Sequence, residues 1–142
     1  MRKLLKDLIL IEYICLISIL GISPVIVTGI IADMGSVSFF NSNNSLAKFA
    51  GLTWRQNQSG KYTSTKTRMT KTGNSYLRYY LFEAANNVIR YIPEYKSYYC
   101  KKSKEPVNHP HKRALVLTAR KLVRLIFGLL AKNQIYSCSK AE

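Results

Sequence analysis

The sequence predicts an all-α fold, a small helical domain with a basic, irregular central loop. Three observations lead there. Leu77, Leu81, Ala84, Val88 and Ile92 recur at helical spacing, and so do Leu115, Ala119, Leu122, Ile126 and Leu129. Glycine, proline and capping residues then punctuate the chain between such stripes, at Gly21 to Pro24, at Gly35, at Gly73-Asn74-Ser75 and at Pro93. Finally, 47% of the 142 residues are apolar, enough to bury a core, so one ordered domain is expected rather than disorder.

Residues 2–19 read as the first helix, with Leu4, Leu5, Leu8, Ile11 and Cys15 three or four residues apart. Leu20-Gly21-Ile22-Ser23-Pro24 is a tight turn, in which Gly21 is free to take positive φ and Pro24 can start the next helix. Val25 to Met34 continues helically to Gly35, a natural C-cap. Asn41 to Asn44 is a polar loop, and Ser45 is expected to cap a short helix, Leu46 to Ala50. Arg55 to Thr72 has no apolar period and reads as an extended, solvated loop or ribbon. A helix of roughly 18 residues follows Asn74 and ends before Pro93, Ser97 to Pro110 reads as a basic connection, and a last helix runs from His111 to Lys132.

Charge points to the partner. Lys and Arg number 22 against 7 Asp and Glu, a net +15, and between Arg55 and Phe82 there are six basic residues and no acid. Tyr62, Tyr76, Tyr79 and Tyr80 are interleaved with those cations. Like charges repel across a compact surface unless a polyanion meets them, so a phosphate backbone or an anionic lipid surface is implied. In the last helix Arg113, Arg120 and Arg124, spaced by seven and four, share one face opposite the apolar stripe. Such a face suits a solvated surface and a phosphate-facing one equally.

Tyr13 to Ala32 is a run of twenty residues without a charge, long enough for a membrane span, and Arg2, Lys3 and Lys6 precede it. Against a span stand Glu12 at its edge, the interruptions at Gly21, Ser23, Pro24 and Gly29, and a strongly basic remainder. A small membrane-anchored basic protein is therefore the alternative reading, and a non-catalytic nucleic-acid-binding module another. Cys15, Cys100 and Cys138 are far apart and odd in number, with no C-x-x-C pair, which suggests neither a zinc site nor a disulfide framework and fits a cytoplasmic location.

Two constellations could carry chemistry. Ile19, Ile22 and Val25 flank the turn at 20–24 in a pattern similar to a helix-hairpin-helix, whose backbone N–H groups hold a phosphate without reading base sequence. Ser23 occupies the position of the usual second glycine, and a plain interhelical turn has the same signature. Gln58-Ser59-Gly60-Lys61 places a hydroxyl in a cationic loop next to a glycine. By itself such a tetrapeptide is ordinarily a solvated turn. No Ser-His-Asp set can be assembled from His109 and His111, and no acid pattern suggests a two-metal site.

Taken in order, the pieces are specific. Ile19-Leu20-Gly21-Ile22-Ser23 leads into Ile31-Ala32-Asp33-Met34-Gly35, and Phe39 to Ser42 precedes Leu46-Ala47-Lys48-Phe49-Ala50-Gly51-Leu52. Gln58-Ser59-Gly60-Lys61 is followed by Met69-Thr70-Lys71-Thr72-Gly73-Asn74-Ser75-Tyr76-Leu77-Arg78, then by His111-Lys112 and Ala119-Arg120-Lys121-Leu122. This run resembles the C-terminal domain of the IS110/IS116/IS902 family of transposases over roughly residues 16 to 132. Residues 1–15 would then end a preceding linker helix, and 133–142 would form a disordered tail.

The resemblance implies a DNA recombinase with an N-terminal RuvC-like domain bearing a four-acid metal site and a C-terminal domain supplying a serine nucleophile. Ser59 matches that serine and would form a phosphoserine link to DNA. Nucleic-acid contacts would fall to Gly21, Ser23, Arg55, Lys61, Lys66, Arg68, Lys71, Arg78, Lys112, Arg113, Arg120 and Arg124. Mg²⁺ is expected only with the RuvC-like domain, whose acids this sequence lacks, so a fragmentary member inactive by itself is expected. The implied partners are DNA, a structured guide RNA in some members, and a second copy in an intact transposase, with no membrane.

Overall fold

The computed structural model describes residues 1–54 and 69–138 in full, together with the backbone of 58–59 and 62–63. Six helices and a minimal antiparallel ribbon make up these residues, an all-α domain as expected. Helix α1 (Arg2–Ile17) and helix α2 (Pro24–Met34) pack on each other, joined by the turn containing Gly21. The uncharged run is thus broken in two, and no helix among the described residues is long and apolar enough to cross a membrane. At the N-terminus of α2 the Ile26 N–H donates to Ser23 Oγ (3.4 Å), and Pro24 occupies a position where no N–H is needed.

A short 3₁₀ turn, Val37–Phe39, connects to α3 (Asn43–Phe49). Here the expected cap is corrected. Ser42 caps the helix, and Ser45 lies inside its first turn with its N–H donating to Ser42 Oγ (3.3 Å). A serine three residues earlier can take extended backbone and still reach that amide, which lengthens the helix at its N-terminus.

Two nested ladders follow. Strand β1 (Thr53–Trp54) pairs with β4 (Met69–Thr70), and β2 (Gln58–Ser59) pairs with β3 (Tyr62–Thr63), both antiparallel. Asn74 then starts α4 (Ser75–Tyr91), its Oδ1 accepting from the Tyr76 and Leu77 amides at 3.0 Å. The expected stripe, Leu77, Leu81, Ala84, Val88 and Ile92, is buried.

A second correction concerns the expected basic connection, most of which is helical. Pro93 opens α5 (Pro93–Ser103), and the connection proper shortens to the few residues before α6 (Pro110–Lys132). Proline ends one helix and serves as the first residue of the next, because its missing N–H is not needed there. Aliphatic periodicity is absent from α5, whose inward face is made of Tyr95, Tyr98 and Tyr99. Lys121 of α6 lies over Tyr95 and Tyr98, 5.0 Å and 4.9 Å from the ring centroids.

The core joins Leu16, Ile19, Val27 and Ile30 to Leu81, Val88, Leu122, Val123 and Ile126. The N-terminal part of α1 stays outside it. Residues 1–11 are all exposed, so the helical period there is not a buried stripe until Glu12, Cys15 and Leu16. After α6 the Tyr136 N–H donates to Ser18 Oγ (2.7 Å), which fastens the following segment to the start of the α1–α2 turn.

Candidate functional site

The described site residues fall at the two ends of α4 and along one face of α6. At the N-terminal end of α4 the ribbon is clamped to the helical core. The Asn74 N–H donates to the Phe49 carbonyl (2.8 Å), and Asn74 Nδ2 donates to the Asp33 carbonyl (3.4 Å). The Thr53 and Thr70 hydroxyls meet at 2.7 Å across the first ladder. Gly51 and Gly73 cross here at a separation that excludes side chains: a Cβ on Gly73 would lie 2.3 Å from the Phe49 carbonyl oxygen, and one on Gly51 2.6 Å from that of Thr72.

Arg78 completes the clamp. Its Nη1 donates to the Lys71 carbonyl (3.1 Å) and the Ala50 carbonyl (3.4 Å), so its guanidinium closes the base of the ribbon. Ser59 sits farther along, where its backbone pairs with Tyr62 and Gln58 pairs with Thr63. The side chain of Ser59, and Arg55, Lys61, Lys66 and Arg68, lie outside the described residues.

The three arginines of α6 share a face but not a situation. Arg113 is held by Glu105, which also accepts from Lys102 (2.8 Å). Hydrogen bonds from Lys102 and then Arg113 hold the Glu105 carboxyl below the usual carboxylate range. Arg120 donates to Asn43 Oδ1 (3.2 and 3.3 Å) and to Asn44 Oδ1, tying α6 to the N-terminus of α3. Burial, and then the nearby Arg124 charge, lower its pKa from the ordinary arginine value. Arg124 and Lys112 are exposed, as is Lys71 at the ribbon end, and none of the three has an acidic partner among the described residues. Helix α3 stands between the two groups, since Arg120 binds its first residues and Arg78 the carbonyl just past its last.

At the other end of α4 lies the turn with Gly21 and Ser23. Gly21 has φ +94°, and Asn87, Arg90 and Tyr91 of α4 line the same depression as Gly21, Ile22 and Ser23. Seventeen residues of helix separate the two ends, roughly 25 Å at the rise of an α-helix. The turn and the ribbon base are therefore not one site. They lie at opposite ends of one helix.

Sequence reasoning missed Asn43, Asn44 and Glu105, which occupy two of the three α6 arginines, and Arg90 and Tyr91 beside the turn. For the last pair a signal existed: Arg90 and Tyr91 are a cation and an aromatic at the polar end of an amphipathic helix. For the asparagines none existed, because they lie 77 and 76 residues from Arg120. No group of three or more His, Cys, Asp or Glu able to hold an ion occurs among the described residues, so this donor set does not fit a resident Mg²⁺.

The chain is similar to the transposase for insertion sequence element IS1111A of Coxiella burnetii (strain RSA 493 / Nine Mile phase I), 29% identical over 124 residues. That alignment covers 85% of this chain and 33% of the relative, so the chain spans about a third of the length of the curated relative it matches. The model of the transposase IS116/IS110/IS902 family matches residues 14–100, from the end of α1 to α5, taking in the turn, the ribbon and its clamp. The chain belongs to the IS116/IS110/IS902 family of transposases.

Proposed function

We propose that this chain is a DNA-binding and strand-transfer part of an insertion-sequence transposase, with Ser59 as its nucleophile. The observation that carries this is the placement of Ser59 in a paired strand of an acid-free cationic tract whose base is clamped to a rigid helix. A strand pairing limits where the serine backbone can go, and a tract of one charge sign brings a phosphodiester to it. Lys71, Lys112 and Arg124, together with Arg55, Lys61, Lys66 and Arg68 of the tract, are the cations assigned to phosphate, and Gly21 and Ser23 supply a second backbone contact. Structured RNA has the same backbone charge and is expected to compete for this surface. Pairing with a second copy belongs to the same proposal for an intact transposase.

In the proposed step the Ser59 Oγ attacks phosphorus, the new Oγ–P bond replacing one P–O bond to deoxyribose. The serine proton leaves to a base, and the released sugar oxygen takes up a proton. The described residues offer neither the acids nor the metal ligands to stabilise that oxygen, so no adduct is expected from this chain by itself.

Two measurements test the proposal. Binding to duplex DNA should weaken with salt at a log–log slope of about −4 to −5 if about five phosphates are neutralised, and salt-independent binding would refute it. When a RuvC-like domain from a related enzyme and Mg²⁺ are added, a covalent protein–DNA band should form on denaturing gels. It should vanish with Ser59→Ala while binding stays nearly unchanged, because a nucleophile contributes to the transition state and little to ground-state affinity. An adduct that persists in Ser59→Ala and is lost on changing Thr63, Ser64 or Thr65 would move the role to that hydroxyl.

A further inference from the structure

The depression between the α1–α2 turn and the last turn of α4 has a volume of about 420 Å³. It is open to solvent rather than enclosed. Its construction is specific. A Cβ on Gly21 would lie 2.7 Å from Tyr91 Cδ2 and 3.1 Å from the Asn87 carbonyl oxygen, so only glycine lets the Tyr91 ring rest against the turn backbone. The ring is held along one edge while Tyr91 remains 63% exposed. Arg90 is exposed beside it, lines the same depression and has no acidic partner among the described residues.

Arg90 and Tyr91, both exposed and both lining the depression, offer it a cation and an aromatic ring, a pair suited to a ligand that carries both a phosphate and a planar ring. The backbone of a fully paired duplex uses the guanidinium only, because its bases are stacked inside the helix. An unpaired nucleotide uses both. We infer that this depression seats one unpaired nucleotide of a nucleic-acid strand, with Arg90 on its phosphate and the Tyr91 ring stacked on its base. The inference rests on the nucleic-acid-binding function proposed above and names the state of the strand at this end of α4. A polymer fits better than a free nucleotide. One guanidinium holds a lone phosphate weakly, whereas Lys71, Lys112 and Arg124 attract the rest of a strand.

Fluorescence anisotropy of the full chain on a labelled duplex, with and without one central unpaired adenine, tests this. The unpaired base should tighten binding about five- to a hundredfold, the range of one base–aromatic stack. Tyr91→Ala should abolish that preference and Tyr91→Phe should keep it. Arg90→Gln should lower the salt slope on the unpaired substrate by about one. Equal affinity for the two duplexes, a preference that survives Tyr91→Ala, or removal of the preference by millimolar dAMP would overturn the inference, the last by revealing a mononucleotide site. If the fully paired duplex is bound with normal salt dependence but without preference, only this inference fails. If neither duplex is bound, the DNA-binding function fails with it.

Discussion

Arg120 and Arg124 lie four residues apart on one helix face, yet their removal should have opposite consequences. Arg120→Ala deletes three hydrogen bonds to Asn43 and Asn44 that tie α6 to α3. Hydrogen bonds to a charged group contribute roughly 1.5–3 kcal/mol when fully buried and independent. Here they share two acceptors at a partly exposed site where water can replace the guanidinium, and its desolvation offsets part of the gain. A loss of about 1–2 kcal/mol is therefore expected, or roughly 3–6 °C in Tm for a chain of this size. Arg124→Ala removes an exposed cation without an acidic partner among the described residues, and should change stability by no more than about 0.5 kcal/mol. It should instead lower the salt slope of DNA binding by about one, more than Arg120→Ala does, because the Arg120 donors are engaged by Asn43 and Asn44 and its charge acts only through the field around Arg124. Thermal unfolding followed by circular dichroism and salt titrations by anisotropy give the two readouts. An unchanged Tm in Arg120→Ala, together with a salt slope reduced as far as in Arg124→Ala, would show that its asparagine contacts are incidental.

Gly29→Ala should destabilise the protein by about 1–3 kcal/mol in urea titrations, although alanine is the better helix former, because the new Cβ would lie 2.4–2.6 Å from three Tyr80 ring atoms. Equal or higher stability would show that Tyr80 moves aside freely. Glu12 is 2% exposed, and burial raises its carboxyl pKa above the usual 4.5, with the Val37 amide bond pulling it partly back. The fold therefore favours the protonated form, whose contribution is complete below the unfolded value and is lost as pH rises through the folded one. Glu12→Gln should be the more stable protein at pH 7 and should flatten stability against pH above about 4.5, and a less stable Gln variant at pH 7 would refute the assignment.

What could be read from the sequence depended on whether the signal was local. Helix α4 was legible because Leu77, Leu81, Ala84, Val88 and Ile92 face the core and Asn74 and Pro93 bound it. Helix α5 was not, because its inward residues are tyrosines, equally at home on a surface, and Pro93 signals an end before it signals a start. The cap of α3 is not legible because Ser42 and Ser45 are chemically equivalent candidates and only backbone geometry separates them. Spacing placed Arg113, Arg120 and Arg124 on one face, but spacing carries no information on what stands opposite. Glu105 is eight residues from Arg113 and Asn43 is 77 from Arg120, and those partners, not the spacing, separate the two from Arg124.

The kind of partner these arginines have bears on the field the chain projects. With 7 acids for 22 bases, carboxylates cannot hold every cation in place. Arg113 takes one, but Arg120 is held by side-chain amide oxygens and Arg78 by the Ala50 and Lys71 backbone carbonyls. Neutral acceptors fix a guanidinium as firmly as its geometry allows and leave its charge uncancelled. Arg78 and Arg120 therefore serve twice: their donors join the ribbon and α6 to the two ends of α3, while their full positive charge still adds to the potential around Lys71 and Arg124. At physiological salt that potential decays over about 8 Å, so charges fixed beside the free cations reinforce them while more distant ones are screened. Replacing Asn43 or Asn44 by aspartate would keep the hydrogen bonds and lose this second effect, which makes the amide side chains part of the electrostatic design of the surface as well as of its packing.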